Sequence, residues 1–426
     1  MVAPFVDAGL FSGEVLVAKD GKVVFRQGFG MADREWDVPV GADTEFRLGS
    51  ITKQFTATAI LQLAEQGRLG LDDPISKYYT AAPAAWSGVT LRHLLTHSSG
   101  IPSYTDIPGF FGNPARADRT PAEIVALTQD KPLTFPPGTG YAYDNSGYIL
   151  LGYVIEKVSG QTYEAYLRDH IFGPLGMAHT GYDVSTRILP HRASGYTLAA
   201  GGAATNAAYL SMTLPYSAGS LYSTVDDLLT WDQALYDAKP LTAASLKAMF
   251  TDYGHKYGFG YVIDSRNGHR LWMHNGGING FSTALLRFPD DHLTVVVLAN
   301  IDSAPAGRIA NVLADRWFGV APPVAVAVKS EVLDRYVGDY QVTPRMIMHI
   351  RRSGDHLTAQ ATNQGQTPLV ATDERTFVSP LVDAPISFDA SVDGKAPGLV
   401  IHQGGHDTPG KRVDAATAAK VEAGNP

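Results

Sequence analysis

Ser50 and Lys53 stand three residues apart in Ser50-Ile51-Thr52-Lys53, the only Ser-x-x-Lys in the chain. On a helix that spacing puts both side chains on one face, about 5–6 Å apart at Cβ. An ammonium can then reach a hydroxyl, and a lysine that loses its proton on burial can act as a base toward it. A serine at a helix start also lies beside backbone N–H groups that can stabilise an oxyanion. The plainer role for Ser50 is a helix N-cap, and a chain of this length yields roughly one Ser-x-x-Lys by chance. Tyr143-Asp144-Asn145, the only Tyr-x-Asn, follows a Gly/Pro loop that begins at Pro136-Pro137-Gly138. Beside an ammonium, Tyr143 suits a phenolate-type base or a proton relay, and Asn145 suits holding an acyl amide or orienting Lys53. His274-Asn275-Gly276-Gly277 is the third motif. Glycines after a strand let a backbone N–H come close to a substrate carbonyl.

The elements around these motifs switch from strand to helix and back. Residues 14–18 and 22–26 flank Lys19-Asp20-Gly21, whose Asp-Gly pair signals a hairpin, and 28–32 continues the pattern. Residues 50–66, rich in Ala, Thr, Leu and Gln, read as a helix stopped by Gly67. A second helix is expected over 148–158. Strands are expected again at 257–264, 270–274, 282–288 and 294–299, with Ile278-Asn279-Gly280-Phe281 as a loop after the His274 motif. Strands therefore open and close the region, and helices fill its middle. One antiparallel sheet with a helical insertion satisfies that order. Residues 320–330 read as a linker, 331–410 as a small antiparallel β-barrel, and 411–426 as a flexible tail.

Composition removes several kinds of chemistry. No cysteine is present, which rules out disulfides, thiolate catalysis and iron–sulfur clusters. The net charge of −8 is spread without a basic run of five, so neither nucleic acid nor an anionic membrane surface is expected as a partner. No apolar stretch nears the roughly eighteen residues of a membrane span. His93 and His97, four apart, could be argued as a metal pair, but no His-Glu-x-x-His accompanies them. His402 and His406 share that spacing in a glycine-rich segment unsuited to a helix. No metal or cofactor is expected. The usual α/β-hydrolase reading fails for want of a Gly-x-Ser-x-Gly.

The order Ser-x-x-Lys, Tyr-x-Asn, then His-x-Gly resembles the serine β-lactamase and penicillin-binding protein family, especially its class C, esterase and D-aminopeptidase branch. The flanks Phe46-Arg47-Leu48-Gly49, Leu94-Leu95-Thr96-His97-Ser98-Ser99-Gly100 and Ser217-Ala218-Gly219-Ser220 are also similar to that family. The resemblance spans about residues 8–318. It implies an α/β sandwich, an antiparallel sheet with flanking helices, and, for the C-terminal module, a lipocalin-like barrel that either lids the cleft or stabilises the chain. It implies Ser50 as nucleophile, Lys53 and Tyr143 as proton movers, and the N–H groups of Ser50 and Gly277 as an oxyanion hole. Asn145, His274, Gly276 and Gly277 would bind substrate or support the site, with Tyr104, Phe110 and Phe111 as an apolar wall.

The implied substrate is a small ester or a short peptide, D-amino acids included. The alternatives are a DD-carboxypeptidase or β-lactamase, or a non-hydrolytic penicillin-binding sensor. Histidine stands at 274 where carboxylate-binding members carry lysine, which argues against efficient β-lactam hydrolysis. Residues 1–7 lack a leader signature. The expected location is periplasmic or secreted with the leader removed, and the cytoplasm stays an alternative. The oligomeric state is not set by the sequence.

Overall fold

The computed structural model describes residues 1–199, 202–362, 364–403 and 406–424. Two compact units make up the chain. One comprises Leu10–Thr197 and Thr205–Leu313, and the other Met1–Gly9, Leu198–Ala204 and Ala314–Pro426.

The first unit is built on a six-stranded antiparallel sheet. Its strands are β1 (Gly13–Lys19), β2 (Lys22–Phe29), β3 (Val262–Arg266), β4 (His269–Ile278), β5 (Phe281–Phe288) and β6 (Leu293–Ala299), in the spatial order β3-β4-β5-β6-β1-β2. β1 lies beside β6, with Gly13 opposite Ala299 and Lys19 opposite Leu293, so the two ends of the unit share one sheet. The hairpin between β1 and β2 turns on Asp20 and Gly21, both at positive φ (51° and 72°), the backbone that a two-residue turn with matching twist requires. β6 is buried at every residue because helices cover the sheet. On one of them, α3 (Val225–Tyr236), Asp232 accepts from the buried Arg287 of β5 at 2.7 Å and from Thr294 of β6 at 2.6 Å.

The helix α1 (Thr52–Glu65) is buried on all sides from Thr52 to Leu61, although its Thr, Gln and Lys content is that of a half-exposed helix. Several of its polar side chains find partners inside the protein. Thr56 donates to Ser217 O at 2.6 Å, and Gln54 Oε1 accepts from Trp231 Nε1 at 2.9 Å. The second long helix, α2 (Asn145–Ser159), starts three residues before the expected 148 because Asp144 caps it, accepting from Gly147 N–H at 3.0 Å. It ends on Gly160 in the left-handed conformation, φ 75°.

Two expectations for this unit need correction. Of residues 257–264, only 262–264 are strand. The strand expected to end by His274 runs on instead, since β4 extends to Ile278 and pairs with β5 as far as Ile278 opposite Phe281. Glycines at 276 and 277 are compatible with an extended strand whose neighbour crowds it.

The second unit holds a closed eight-stranded antiparallel barrel. Its strands are β7 (Gly338–Thr343), β8 (Met346–Ser353), β9 (His356–Ala361), β10 (Thr367–Ala371), β11 (Thr376–Val378), β12 (Ile386–Phe388), β13 (Gly398–Gln403) and β14 (His406–Val413). β14 closes on β7, with Tyr340 opposite Arg412. The helix α4 (Ser330–Tyr336) precedes it and sends Leu333 and Tyr336 into the interior, where Tyr336 stacks on Phe388 at 4.4 Å. Side chains therefore fill the barrel. Of the flexible tail expected over 411–426, residues 425 and 426 lie outside the described residues, while 411–413 complete β14 and the following residues form the helix α5 (Ala415–Glu422). Its Ala418 and Val421 pack on Ile347 of β8, and this contact across more than seventy residues leaves no mark in the local sequence. His402 and His406 sit on the paired strands β13 and β14, and His402 Nδ1 lies 2.6 Å from Asp407.

Candidate active site

Ser50 lies in a single 3₁₀ turn, Gly49–Ile51, that feeds α1, and its side chain caps nothing. Lys53, on the first turn of α1, is fully buried, and its Nζ has three oxygen neighbours. These are Ser50 Oγ at 3.0 Å, Asn145 Oδ1 at 2.8 Å and the carbonyl of Ala218 at 2.9 Å. Burial holds its pKa well below the usual lysine range, with the carboxylate of Asp144 pulling the other way. The two oxygens of Asn145 and Ala218 can only accept. A neutral amine has two hydrogens, which satisfy them, and its lone pair is left for the Ser50 hydroxyl. Lys53 is thus arranged as a base toward Ser50.

Tyr143 approaches Ser50 from the other side. Lys53 Nζ sits 4.8 Å from the centre of its ring, and Ser50 is close enough to act on its phenol. The residue as a whole is 37% exposed. Burial pushes that phenol up beyond its ordinary value, against the pull of Ser50. A neutral phenol is a donor and relay, so the phenolate form weighed from the sequence is disfavoured. Asn145, at the start of α2, uses both ends of its amide, since Nδ2 donates to Thr105 Oγ1 at 3.1 Å while Oδ1 accepts from Lys53.

His274 is buried in β4 and does not line the cleft that holds Ser50. Its Nδ1 faces the carbonyl of Asn275 at 2.6 Å, and its Nε2 faces the hydroxyl of Tyr257 at 2.9 Å. A carbonyl cannot donate, so Nδ1 carries the proton and Tyr257 donates to Nε2. The ring is then neutral, as its pKa of about 3 also requires, depressed by burial and by Lys53. It supports Tyr143, whose ring centre is 6.1 Å away, from behind. Gly276 and Gly49 explain how β4 meets the Ser50 turn. A Cβ on Gly276 would lie 1.9 Å from Leu48 O, and one on Gly49 (φ +55°) would lie 2.8 Å from Gly277 N. β3 pairs with β4 only as far as Met273, so beyond it that edge of β4 faces the Ser50 turn.

The cleft has a volume of about 390 Å³, and Ser50, Tyr143, Asn145 and Gly277 line it together with Tyr104 and Phe111. Phe110 stands behind, edge-on to both aromatics at 5.1 and 5.4 Å. His93 and His97 are each committed elsewhere. His93 closes a capping box with Thr90, while His97 Nδ1 accepts from Asp144 N–H at 3.0 Å and packs its ring 4.3 Å from that of Tyr143.

With this geometry in hand, comparison with known proteins is informative. The Beta-lactamase family model matches residues 1–316. The chain belongs to that family. A domain of unknown function, DUF3471, matches residues 322–413. Penicillin-binding protein 4* of Bacillus subtilis is 28% identical over 93% of this chain and 94% of its own. The octameric penicillin-binding protein homologue from Pyrococcus abyssi is 27% identical, covers 96% of this chain and 98% of its own, and superposes with a TM-score of 0.71. A D-stereospecific amidohydrolase from Streptomyces is 28% identical over 75% of this chain and all of its own, with a TM-score of 0.64. The family is one of serine hydrolases, and the six-stranded sheet with its helices lies within the residues it matches, while the barrel lies within those matched by DUF3471.

Sequence reasoning placed Ser50, Lys53, Tyr143, Asn145 and Gly277 at one cleft, and the structure brings them together there. It missed Thr105, the carbonyl of Ala218 and the part played by Asp144. Only a main-chain oxygen serves at Ala218, so its side chain carries no signal. Asp144 stood inside the Tyr-x-Asn motif and could have been found as the cap of α2. No helix of the described residues is long and apolar enough to cross a membrane.

Proposed function

We propose that the protein hydrolyses small esters or short peptide amides, D-amino acids included, through an acyl-enzyme on Ser50. The observation that carries this reading is the three-oxygen environment of the buried Lys53 amine. Ser50 Oγ attacks the carbonyl carbon as its proton moves to Lys53 Nζ. The carbonyl oxygen, now negative, sits between the N–H groups of Ser50 and Gly277. The Tyr143 hydroxyl gives its proton to the departing oxygen or nitrogen and regains one from Lys53. Water then attacks the acyl carbon along the reverse proton path and frees Ser50. The amidohydrolase likeness supports amides. The neutral, buried His274 offers no charge to a substrate carboxylate, which weighs against β-lactams.

The test is a panel of p-nitrophenyl butyrate, D- and L-alanine p-nitroanilides and a chromogenic cephalosporin, with mass spectrometry of the Ser50 peptide. Turnover of ester or anilide, a transient adduct on Ser50, and a loss on the order of 10⁴–10⁶ in kcat for Ser50→Ala are expected. Cephalosporin cleared faster than the butyrate ester would refute the substrate class. An adduct that forms on Ser50 and never leaves would mark a sensor, and an adduct on another serine would sink the mechanism.

A further inference from the structure

We propose that Asp106 makes this cleft select substrates bearing a protonated amine, an inference that rests on the hydrolase reading of the Ser50 site. Asp106 lines the cleft at the end of a 3₁₀ turn, Tyr104–Asp106, and is the one charged side chain among the described residues that line it. Its carboxylate has no hydrogen-bond or ion-pair partner among the described residues, and it is exposed to the solvent that a substrate would displace.

The turn that carries Asp106 is fixed. Tyr104 N–H donates to Ser146 Oγ at 2.9 Å and its hydroxyl to Leu214 O at 2.8 Å, while Thr105 Oγ1 accepts from Asn145 at 3.1 Å. Asp106 is therefore one residue from the side chain that anchors Asn145, and Asn145 in turn holds Lys53. No cation pairs with this carboxylate among the described residues, and none lines the cleft. Lys53 is neutral in the arrangement above. Arg47 and Arg192, which line a neighbouring cleft sharing Leu210 and Asn279, are both held by Asp183 at 2.7 Å. The aromatic residues Tyr104, Phe111 and Tyr143 line the same space, and an aromatic face also favours an ammonium. A sphere of about 390 Å³ is about 9 Å across, close to the roughly 8 Å Debye length at physiological salt, so a charge bound in the cleft lies within about one screening length of Asp106. The chemistry that fits is a short substrate with a free amine near the scissile bond. One with a carboxylate there meets repulsion.

The experiment compares D-alanine p-nitroanilide, which has a free amine, with its N-acetylated and N-succinylated forms. Wild-type kcat/KM should favour the free amine over the acetylated form by about three- to tenfold. The ratio should fall toward one in Asp106→Asn and in about 1 M salt, where the Debye length is about 3 Å. Asp106→Lys should move preference to the succinylated form. A ratio that neither variant nor salt changes overturns the proposal. Failure of the hydrolase reading is told apart by wild-type protein that releases no p-nitrophenol from p-nitrophenyl butyrate. In that event calorimetric binding of D-alanine amide and N-acetyl-D-alanine amide to Ser50→Ala, with and without Asp106→Asn, decides on Asp106 without turnover. Equal affinities there would also overturn it.

Discussion

Replacing Gly276 by alanine tests how the oxyanion side of the site is built. The new Cβ would lie 1.9 Å from Leu48 O and 2.3 Å from Thr283 Oγ1, where ordinary contact begins at 3.4 Å. Neither neighbour is free to swing away. Leu48 O is backbone, and Thr283 Oγ1 already donates to it at 2.8 Å. Either β4 or the Ser50 turn must then retreat by about 1.5 Å, and each retreat separates Gly277 N–H from Ser50. Misplacement on the order of 1 Å costs about 10² in rate, and loss of an oxyanion donor about 10²–10³. We expect kcat for p-nitrophenyl butyrate to fall by about 10²–10³ with KM little changed, together with a loss of about 1–3 kcal/mol of stability from overpacking. Gly277→Ala is the control, because a Cβ there meets nothing within 4 Å and points into open space. It should keep its stability and alter KM more than kcat. Stopped-flow ester kinetics and urea unfolding on both variants read these quantities. A folded Gly276→Ala with kcat within threefold of wild type would refute the close-approach reasoning.

Two pH-dependent predictions follow from the charged groups. The buried Asp144, itself raised to about 7 by burial, is the influence that pulls Lys53 upward, so Asp144→Asn should lower the lysine further. The acid limb of kcat/KM should then move to lower pH, by on the order of one unit, and an unmoved or raised limb would exclude Lys53 as the base. In the barrel, burial alone would lower His349, but its hydrogen bonds to Asp339 and Glu422, both at 2.8 Å, outweigh burial and raise it. Its contribution is complete below the unfolded value near 6.5 and is lost as pH rises through the higher folded value. Hydrogen exchange of residues 415–422 should therefore be faster at about pH 8.5 than at about pH 5.5 after correction for intrinsic rates, and His349→Gln should abolish the difference.

Much of the site was legible because its logic is local. Ser50 and Lys53 are joined by helix spacing, and Tyr143 and Asn145 by the loop that starts the next helix. The Asp20-Gly21 turn was readable for the same reason, since φ above zero at both positions suits those residue types. Order along the chain, strands first and last with helices between, was enough to place both ends in one sheet.

Other features depend on which distant segments touch, and no local pattern encodes that. Burial on every side of α1 neutralises Lys53, and its Thr and Gln residues are tolerated only because Ser217, Tyr163 and Trp231 meet them. Gly276 and Gly277 read as residues just past a strand, free to approach a substrate carbonyl. Leu48 instead crowds the strand so closely at Gly276 that no side chain fits. His274 read as a group facing the substrate, and Tyr257 and the carbonyl of Asn275 turn it inward as a neutral support. The last helix read as a tail because its apolar residues are few, and only Ile347 beneath it gives them somewhere to be buried. Residue types and spacing determined which chemistry this chain carries. Desolvation and close backbone approach, which exist only once the chain is packed, decided the charge states that let it run.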